Sequence, residues 1–231
     1  MSLTVLRDKA RAMQLPLELG HDPAADRDHL LISPSIMPAI DLIDRWPHWH
    51  APVTVLVGPP GSGKSHLATI WKGLSQARPV TEELREGRAI AARQGAFLFE
   101  DADREAFDET GLFHLINTVR QNGGSLLVTA RSLPQLWSIS LPDLKSRLAA
   151  ATTVEIGAPD DVLLQQVIFK LFADRQIEVD DRLVAYIVTR MERSLDAASQ
   201  IVDAIDKLAL SRGRRITRAI AADVLAEREA I

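Results

Sequence analysis

The segment Gly58–Ser65, GPPGSGKS, constrains the fold of this chain more than any other, because it matches the pattern G-x-x-x-x-G-K-[ST] in full. The run VTVLV at 53–57 precedes it and is typical of a buried strand. A helical stretch from Lys64 to about Leu74 follows it. Glycines allow backbone N–H groups to approach phosphate oxygens, and a helix directs its positive end at the same anion. In this context the segment predicts a phosphate-binding loop rather than a glycine-rich surface turn.

The residue types of this loop indicate a nucleotide with a divalent cation. Lys64 supplies a mobile cation for the β- and γ-phosphates, and the Ser65 hydroxyl is suited to ligate Mg²⁺. We expect ATP or ADP with Mg²⁺ as cofactors. The expected nucleotide contacts are Gly58, Pro60, Gly61, Ser62, Gly63, Lys64 and Ser65.

Two acidic residues follow the second apolar run, AFLF at 96–99. A phosphate loop needs a carboxylate at the end of a neighbouring strand, and Glu100 and Asp101 stand there. Two assignments remain open. Either Glu100 and Ser65 hold the metal while Asp101 polarises the attacking water, or Asp101 takes the metal role itself. The alternative without function is a solvated acidic turn.

The remaining patterns predict an α/β nucleotide domain followed by helices. A third strand is expected at 125–130, a helix at 109–121 and a poorly marked strand near 77–80; alternating strands and helices imply a parallel sheet. Four amphipathic stretches then carry no strand signal: 160–174, 180–192, 194–210 and 217–228. Each has a polar residue suited to cap its start: Asp160, Asp180, Ser194 and Thr217. We expect an extended leader (1–35), a three-layer nucleotide domain (36–158) and a small all-helical lid (159–231).

Composition excludes several classes of protein. The chain contains no cysteine, which excludes disulfides, thiolate metal sites and cysteine nucleophiles. Its net charge of -4 does not indicate a nucleic-acid-binding protein. No apolar run approaches the roughly 20 residues of a membrane span. A cytoplasmic protein without a membrane partner is the default expectation.

Beyond the phosphate loop, the chain resembles the AAA+ ATPases, and among them the branch of the replication initiator DnaA. The resemblance rests on the loop followed by His66, on FLFEDAD (97–103), on LLVTARSLP (126–134) and on LPDLKSRL (141–148). It implies that His66 belongs to the nucleotide site, that Thr129 ends a sensor-1 strand and that Arg147 is an arginine finger acting in trans. Arg193 in MERSL matches the sensor-2 arginine, although its distance from the final RRIT exceeds the usual spacing. The chain departs from the branch at Glu100, where Asp is usual, and at Ala130-Arg131, where the branch usually has an acidic residue. We therefore expect weak intrinsic hydrolysis.

The leader contains QLPLEL at 14–19, whose leucines alternate. It resembles the Q-L-x-L-x-L clamp-binding motif of the Hda group, the DnaA-homologous regulators that inactivate the initiator. The matching residues are Gln14, Leu15, Leu17 and Leu19. A short extended peptide can place alternate side chains in the pockets of a partner. The alternative is that these leucines pack on the chain's own domain.

The resemblance implies a regulator that docks on the DNA polymerase sliding clamp and stimulates ATP hydrolysis by DnaA. DNA would then be reached indirectly, through the clamp, and a homodimer is one expected assembly. A self-sufficient ATPase such as a helicase loader is an alternative, and a nucleotide-independent adaptor on the clamp is another. Steady-state ATP turnover by the isolated chain distinguishes a self-sufficient ATPase from the regulator. Dependence of the effect on Lys64 distinguishes the regulator from a nucleotide-independent adaptor.

Overall fold

The computed structural model describes residue 31, residues 33–88, residue 90 and residues 95–229, except for the side chain of residue 229. The helices of these residues are α1 (Met37–Asp44), α2 (Lys64–Ser75), α3 (Thr81–Arg85), α4 (Glu109–Asn122), α5 (Pro142–Ala149), α6 (Asp161–Asp174), α7 (Asp181–Val188), α8 (Leu195–Arg212) and α9 (Arg218–Glu229). The strands are β1 (Val53–Val57), β2 (Arg78–Pro79), β3 (Ala96–Phe99), β4 (Ser125–Ala130) and β5 (Thr152–Glu155). A short 3-10 turn spans Pro134–Leu136.

The strands form one parallel sheet in the order β2-β3-β4-β1-β5. Val57 of β1 lies opposite Ala130 of β4, and Phe99 of β3 lies opposite Val128. The carboxyl ends of β1, β3 and β4 therefore lie side by side along one edge of the sheet, the edge at which the strands end. This edge carries the phosphate loop, the acidic pair and Arg131, and the predicted parallel sheet is confirmed.

Alternate residues of β1, β3 and β4 enter two different cores, which produces the three-layer arrangement. Val53, Val55 and Val57 pack with α4 and α5 on one face of the sheet, whereas Leu56 packs with α1 and α2 on the other. A strand buried on both faces needs apolar side chains at most positions, and Thr54 in β1 and Thr129 in β4 are buried polar exceptions. For that reason the continuous apolar runs predicted the central strands with the correct bounds.

The helices α6 to α9 pack on one another around their own cluster of buried residues, which includes Phe172, Val184, Ile201 and Val224. Three of their predicted caps are confirmed by bonds from the third residue beyond the cap. Asp160 accepts from the Leu163 N–H at 2.8 Å, Asp180 from the Leu183 N–H at 2.7 Å, and Ser194 from the Ala197 N–H at 3.3 Å. No helix in the described ranges is both long and apolar enough to cross a bilayer.

Among the elements that the sequence patterns did not predict are β5 and α3. The strand β5 (TTVE) lies at an edge of the sheet, is partly exposed and lacks an apolar run. The helix α3 has five residues, too few for a periodic signal. The helix expected at 180–192 ends earlier, at Val188, because the following residues turn back so that Ser194 can cap α8.

Candidate functional site

A cavity of about 420 Å³ lies between the phosphate loop, the ends of β3 and β4, and the helices α6 and α8. Its polar end is lined by the loop together with Asp101, Arg104, Arg131 and Asp196. Its apolar end is lined by side chains from α6 and from the segment before α1. A cavity with one cationic and one apolar end is suited to a molecule that has both phosphates and a planar base.

The loop backbone has the geometry that phosphate binding requires. Gly61 and Gly63 adopt positive φ angles of 66° and 94°. The N–H groups of the first turn of α2 have no acceptor within the helix, and the described backbone hydrogen bonds include none from Lys64 or Ser65. The Ser62 hydroxyl is buried and has no hydrogen-bond partner in the described part of the chain. These unpaired donors fit the phosphate groups of a nucleotide.

Lys64 is buried against the loop that it serves. Its Nζ donates hydrogen bonds to the carbonyl oxygens of Gly58 at 2.7 Å and Pro59 at 2.8 Å. Burial lowers the pKa of Lys64, and the charge of nearby Asp101 opposes this change. A cation that is partly desolvated in this way gains more from contact with an anion than one in bulk water.

Glu100 and Asp101, the two acids predicted for the site, do not line the same set of cavities. Glu100 lines a neighbouring open cleft with Thr81 and Arg85, and does not line the phosphate-loop cavity. Burial raises the pKa of Glu100, and the charge of Asp101 raises it further. Asp101 lines both cavities. Of the two carboxylates, Asp101 is therefore the one placed beside Lys64.

Asp101 adopts a positive φ of 53°, a conformation that is uncommon for residues other than glycine. Its N–H donates to the Thr129 Oγ1 at 2.9 Å, and its carboxylate pairs with Arg104 at 3.1 Å. The buried hydroxyl of Thr129 thus holds the backbone turn that orients Asp101. The sequence placed Thr129 at the strand end but not in this contact.

Asp103 has a role that the sequence did not reveal. Its carboxylate accepts hydrogen bonds from the Arg131 N–H at 3.0 Å, from the Ser132 N–H at 2.7 Å and from the Ser132 hydroxyl at 2.7 Å. Burial alone would raise the pKa of Asp103, but these hydrogen bonds outweigh it and the pKa is lowered. Asp103 therefore ties the turn after β3 to the turn after β4.

The apolar end of the cavity was also missed by the sequence patterns. It is lined by Leu31, Ile36, Leu163, Val167 and Leu171. These residues belong to three separate segments of the chain and have no motif in common. His66 lines the same cavity and is half-buried; burial and then the charge of Lys170 lower its pKa.

The start of α8 contacts the phosphate loop directly. The Leu195 N–H donates to the Gly61 carbonyl at 2.8 Å, and a Cβ added at Gly61 would lie 2.7 Å from the Ser194 Cβ. Arg193, predicted as sensor 2, immediately precedes this contact. Its side chain is exposed, pairs with Asp161 at 2.9 Å and is not among the residues that line the cavity.

Arg147 lies away from the cavity, in the last turn of α5. The helix leads into β5, whose first residue Thr152 lies beside Thr54 near the start of β1. Arg147 is therefore near the edge of the sheet opposite the phosphate loop. It is partly buried, and within the described residues it has neither a hydrogen bond nor an ion pair. The predicted clamp-binding residues Gln14, Leu15, Leu17 and Leu19 lie outside the described residues.

A magnesium ion would need ligands from the nucleotide and from water. Among the described residues, no group of three or more His, Asp or Glu side chains is arranged to hold a metal. The Ser65 hydroxyl and the Asp101 carboxylate border the polar end of the cavity. Mg²⁺ commonly uses one or two protein oxygens plus phosphate oxygens and water, so these two residues fit such an ion.

The chain matches no family model. It is similar to DnaA of Sphingopyxis alaskensis, with 26% identity over 92% of this chain and 53% of the relative, so it spans about half of that protein's length. It is also 23% identical to an uncharacterized protein of Haemophilus influenzae, over 72% of this chain and 78% of the relative.

Solved structures establish the fold. Domain III of DnaA from Thermotoga maritima superposes with a TM-score of 0.73 at 16% identity, over 89% of this chain and 97% of that domain. A single-residue variant of RuvB from the same organism gives a TM-score of 0.69 at 16% identity, over 87% of this chain and 71% of that one. The chain thus has an AAA+ fold like DnaA domain III, and its sequence similarity to DnaA is weak.

Gly61→Ala is expected to destabilise the folded chain by about 2–5 kcal/mol and to weaken ADP binding, because positive-φ strain adds to overpacking against Ser194. Gly123→Ala is the matched control, since Gly123 has the same φ of 66° with no atom within 4 Å of an added Cβ. Gly123→Ala should lower the free energy of unfolding only by the backbone strain, about 1–2 kcal/mol, and leave ADP affinity unchanged. Urea unfolding and calorimetric ADP titration measure both. Equal losses in the two variants would contradict the contact between α8 and the loop.

Asp103→Asn is expected to destabilise the protein near neutral pH, with the difference from wild type disappearing in acid. Because the folded-state pKa of Asp103 is lowered, its contribution is present above the unfolded pKa of about 3.9 and is lost as pH falls through the folded value. Urea unfolding between pH 3 and pH 7 measures it, with the exposed Asp41→Asn as control. A destabilisation that stays constant with pH would exclude an ionic role for Asp103.

Proposed function

We propose that this chain is a nucleotide-dependent regulator of chromosomal replication initiation, of the Hda type, which stimulates ATP hydrolysis by DnaA while docked on the sliding clamp. The similarity to DnaA over most of the chain and the AAA+ fold support this proposal. The observation that carries it is the position of Arg147 outside the chain's own nucleotide cavity and without an internal partner in the described residues.

An arginine in this position is suited to act on a nucleotide bound by another protein. A guanidinium that enters a neighbour's site stabilises the charge that develops on the transferred phosphoryl group. Leu144 and Leu148 of α5 are fully buried and hold the helix rigidly against the domain. The Arg147 side chain is then presented from a fixed support, as an arginine finger requires.

The chain's own nucleotide has a different part in this proposal. Lys64, Ser65 and the loop N–H groups bind its phosphates, and Asp101 orients the metal-bound side of the site. Bound Mg²⁺ would neutralise phosphate charge and organise the surrounding water. Because Glu100 is directed to the neighbouring cleft, only Asp101 of the acidic pair serves the site, and intrinsic hydrolysis is slow. The resident nucleotide, ADP or ATP, orders α8 against the loop.

In this proposal the leader motif at 14–19 binds the sliding clamp. Alternate leucines on an extended peptide enter successive pockets of a partner, and Gln14 adds a polar contact. A peptide of this size binds at roughly micromolar Kd, about -8 kcal/mol. Two copies of the chain on a ring-shaped clamp would gain further from effective concentration.

Arg147→Ala should reduce stimulation of the DnaA ATPase by about 10³-fold or more, the range found for arginine fingers. The chain's own ADP affinity and its binding to the clamp should not change. Single-turnover hydrolysis of ATP bound to DnaA, with clamp loaded on DNA, measures the effect. Arg120→Ala is a matched control, since Arg120 also lies in the last turn of a helix.

Full stimulation by Arg147→Ala would refute the finger assignment. Two further measurements separate the competing functions. Rapid turnover by the isolated wild-type chain would favour a self-sufficient ATPase such as a helicase loader. Full activity of Lys64→Ala would favour a nucleotide-independent adaptor.

Gln14→Ala/Leu17→Ala should abolish binding to the purified sliding clamp, because it removes the polar contact and the central leucine together. Surface plasmon resonance on immobilised clamp measures this, with Met13→Ala/Glu18→Ala as a control within the same segment. Retention of wild-type affinity in the double variant would show that the clamp contact lies elsewhere. Absence of binding by the wild type would remove the clamp from the proposal.

A further inference from the structure

Arg131 lies directly beside the phosphate loop. It follows Ala130, the last residue of β4, and the Gly58 N–H donates to the Ala130 carbonyl at 3.2 Å. Arg131 lines the same cavity as Lys64. A side chain from this position reaches the polar end of the cavity from the carboxyl end of β4.

The backbone of Arg131 is held firmly while its side chain stays exposed. Its N–H donates to both carboxylate oxygens of Asp103, each at 3.0 Å, and Ser132 donates to the same carboxylate. These bonds involve only the main chain of Arg131. A substitution of its side chain therefore leaves the anchoring of the turn intact.

The charges around Arg131 leave its guanidinium without a counterion inside the described part of the protein. Asp101 and Asp196 are the acids that line the cavity, and Asp101 is paired with Arg104 at 3.1 Å, whereas neither acid forms an ion pair with Arg131. Asp103 is occupied by the N–H groups just described. In the described residues Arg131 forms no ion pair of its own, and its charge also lowers the pKa of Lys64, after burial and against the opposing effect of Asp101. Two cations at one end of a cavity repel each other unless an anion lies between them.

The arginine expected from the family resemblance does not occupy this place. Arg193 is paired with Asp161 and does not line the cavity. Arg131 is thus the cavity-lining arginine of the described residues that has no carboxylate partner. A guanidinium can form two parallel hydrogen bonds to a phosphate, which makes it more selective than an ammonium for a terminal phosphate.

We propose that Arg131 contacts the terminal phosphate of the chain's own nucleotide, and thereby makes the chain bind the triphosphate more tightly than the diphosphate. This inference rests on the nucleotide binding in the proposed function but not on the partner proteins named there. The loop N–H groups and Lys64 hold the phosphates common to both nucleotides. Arg131 adds a contact that only the triphosphate can make, so it sets which nucleotide orders the site.

The test is calorimetric titration of the full chain with ATP and with ADP, in wild type, Arg131→Ala, Arg131→Lys and the control Arg215→Ala. Each titration is made with Mg²⁺ and again with EDTA. Arg131→Ala should weaken ATP binding about tenfold or more, as expected for a lost charged hydrogen bond, and leave ADP binding nearly unchanged. Arg131→Lys should recover part of the loss, and Arg215→Ala should match wild type.

The outcomes separate the possible roles. Persistence of the ATP-specific loss in EDTA supports direct contact with the phosphate, whereas its disappearance would mean that Arg131 acts through the metal shell and would overturn the proposal. Equal loss of ATP and ADP, or no loss, would also overturn it while leaving the function proposed for Arg147 unaffected. Failure of the wild type to bind either nucleotide would overturn both.

Discussion

The contact between Gly61 and the start of α8 is the constraint on which the rest of the site depends. It joins the phosphate loop to the helical part of the chain through the Leu195 N–H and the Ser194 side chain. No residue with a Cβ fits at Gly61 without displacing Ser194. A displacement of the loop at Gly61 would therefore disturb the start of α8. This short stretch of backbone links the phosphate loop to α8 and to the helices that pack on it.

A second constraint arises at the carboxyl edge of the sheet, where two turns are tied together. Asp103 binds the N–H groups after β4, and Thr129 binds the N–H of Asp101. These crossed contacts place Asp101 beside Lys64, direct Glu100 to the neighbouring cleft and fix the main chain of Arg131. The polar end of the cavity therefore contains more cationic than anionic side chains, which suits a polyphosphate. Of the acidic pair Glu100 and Asp101, the same arrangement leaves only Asp101 lining this cavity.

The proposed regulator uses the two edges of the sheet for different purposes. One edge holds the chain's own nucleotide, and the other is close to Arg147 at the end of α5. In this arrangement the bound nucleotide acts as a structural element, and the chemistry takes place on the partner's ATP.

The sequence by itself determined the phosphate loop, the three central strands, the parallel sheet and three of the helix caps, because each depends on a local pattern of glycines, apolar runs or capping side chains. It placed Glu100, Asp101, Thr129 and Arg193 near the site but could not say where their side chains point. Only the tertiary structure decided that Asp101 lies beside Lys64 and Glu100 does not, that Asp103 anchors Arg131, and that Arg193 pairs with Asp161. Those outcomes depend on contacts between residues about 30 or more positions apart, on backbone φ angles and on competition among several charges. The edge strand β5 and the apolar end of the cavity were also decided only by the tertiary structure, since their residues come together only after the chain has folded.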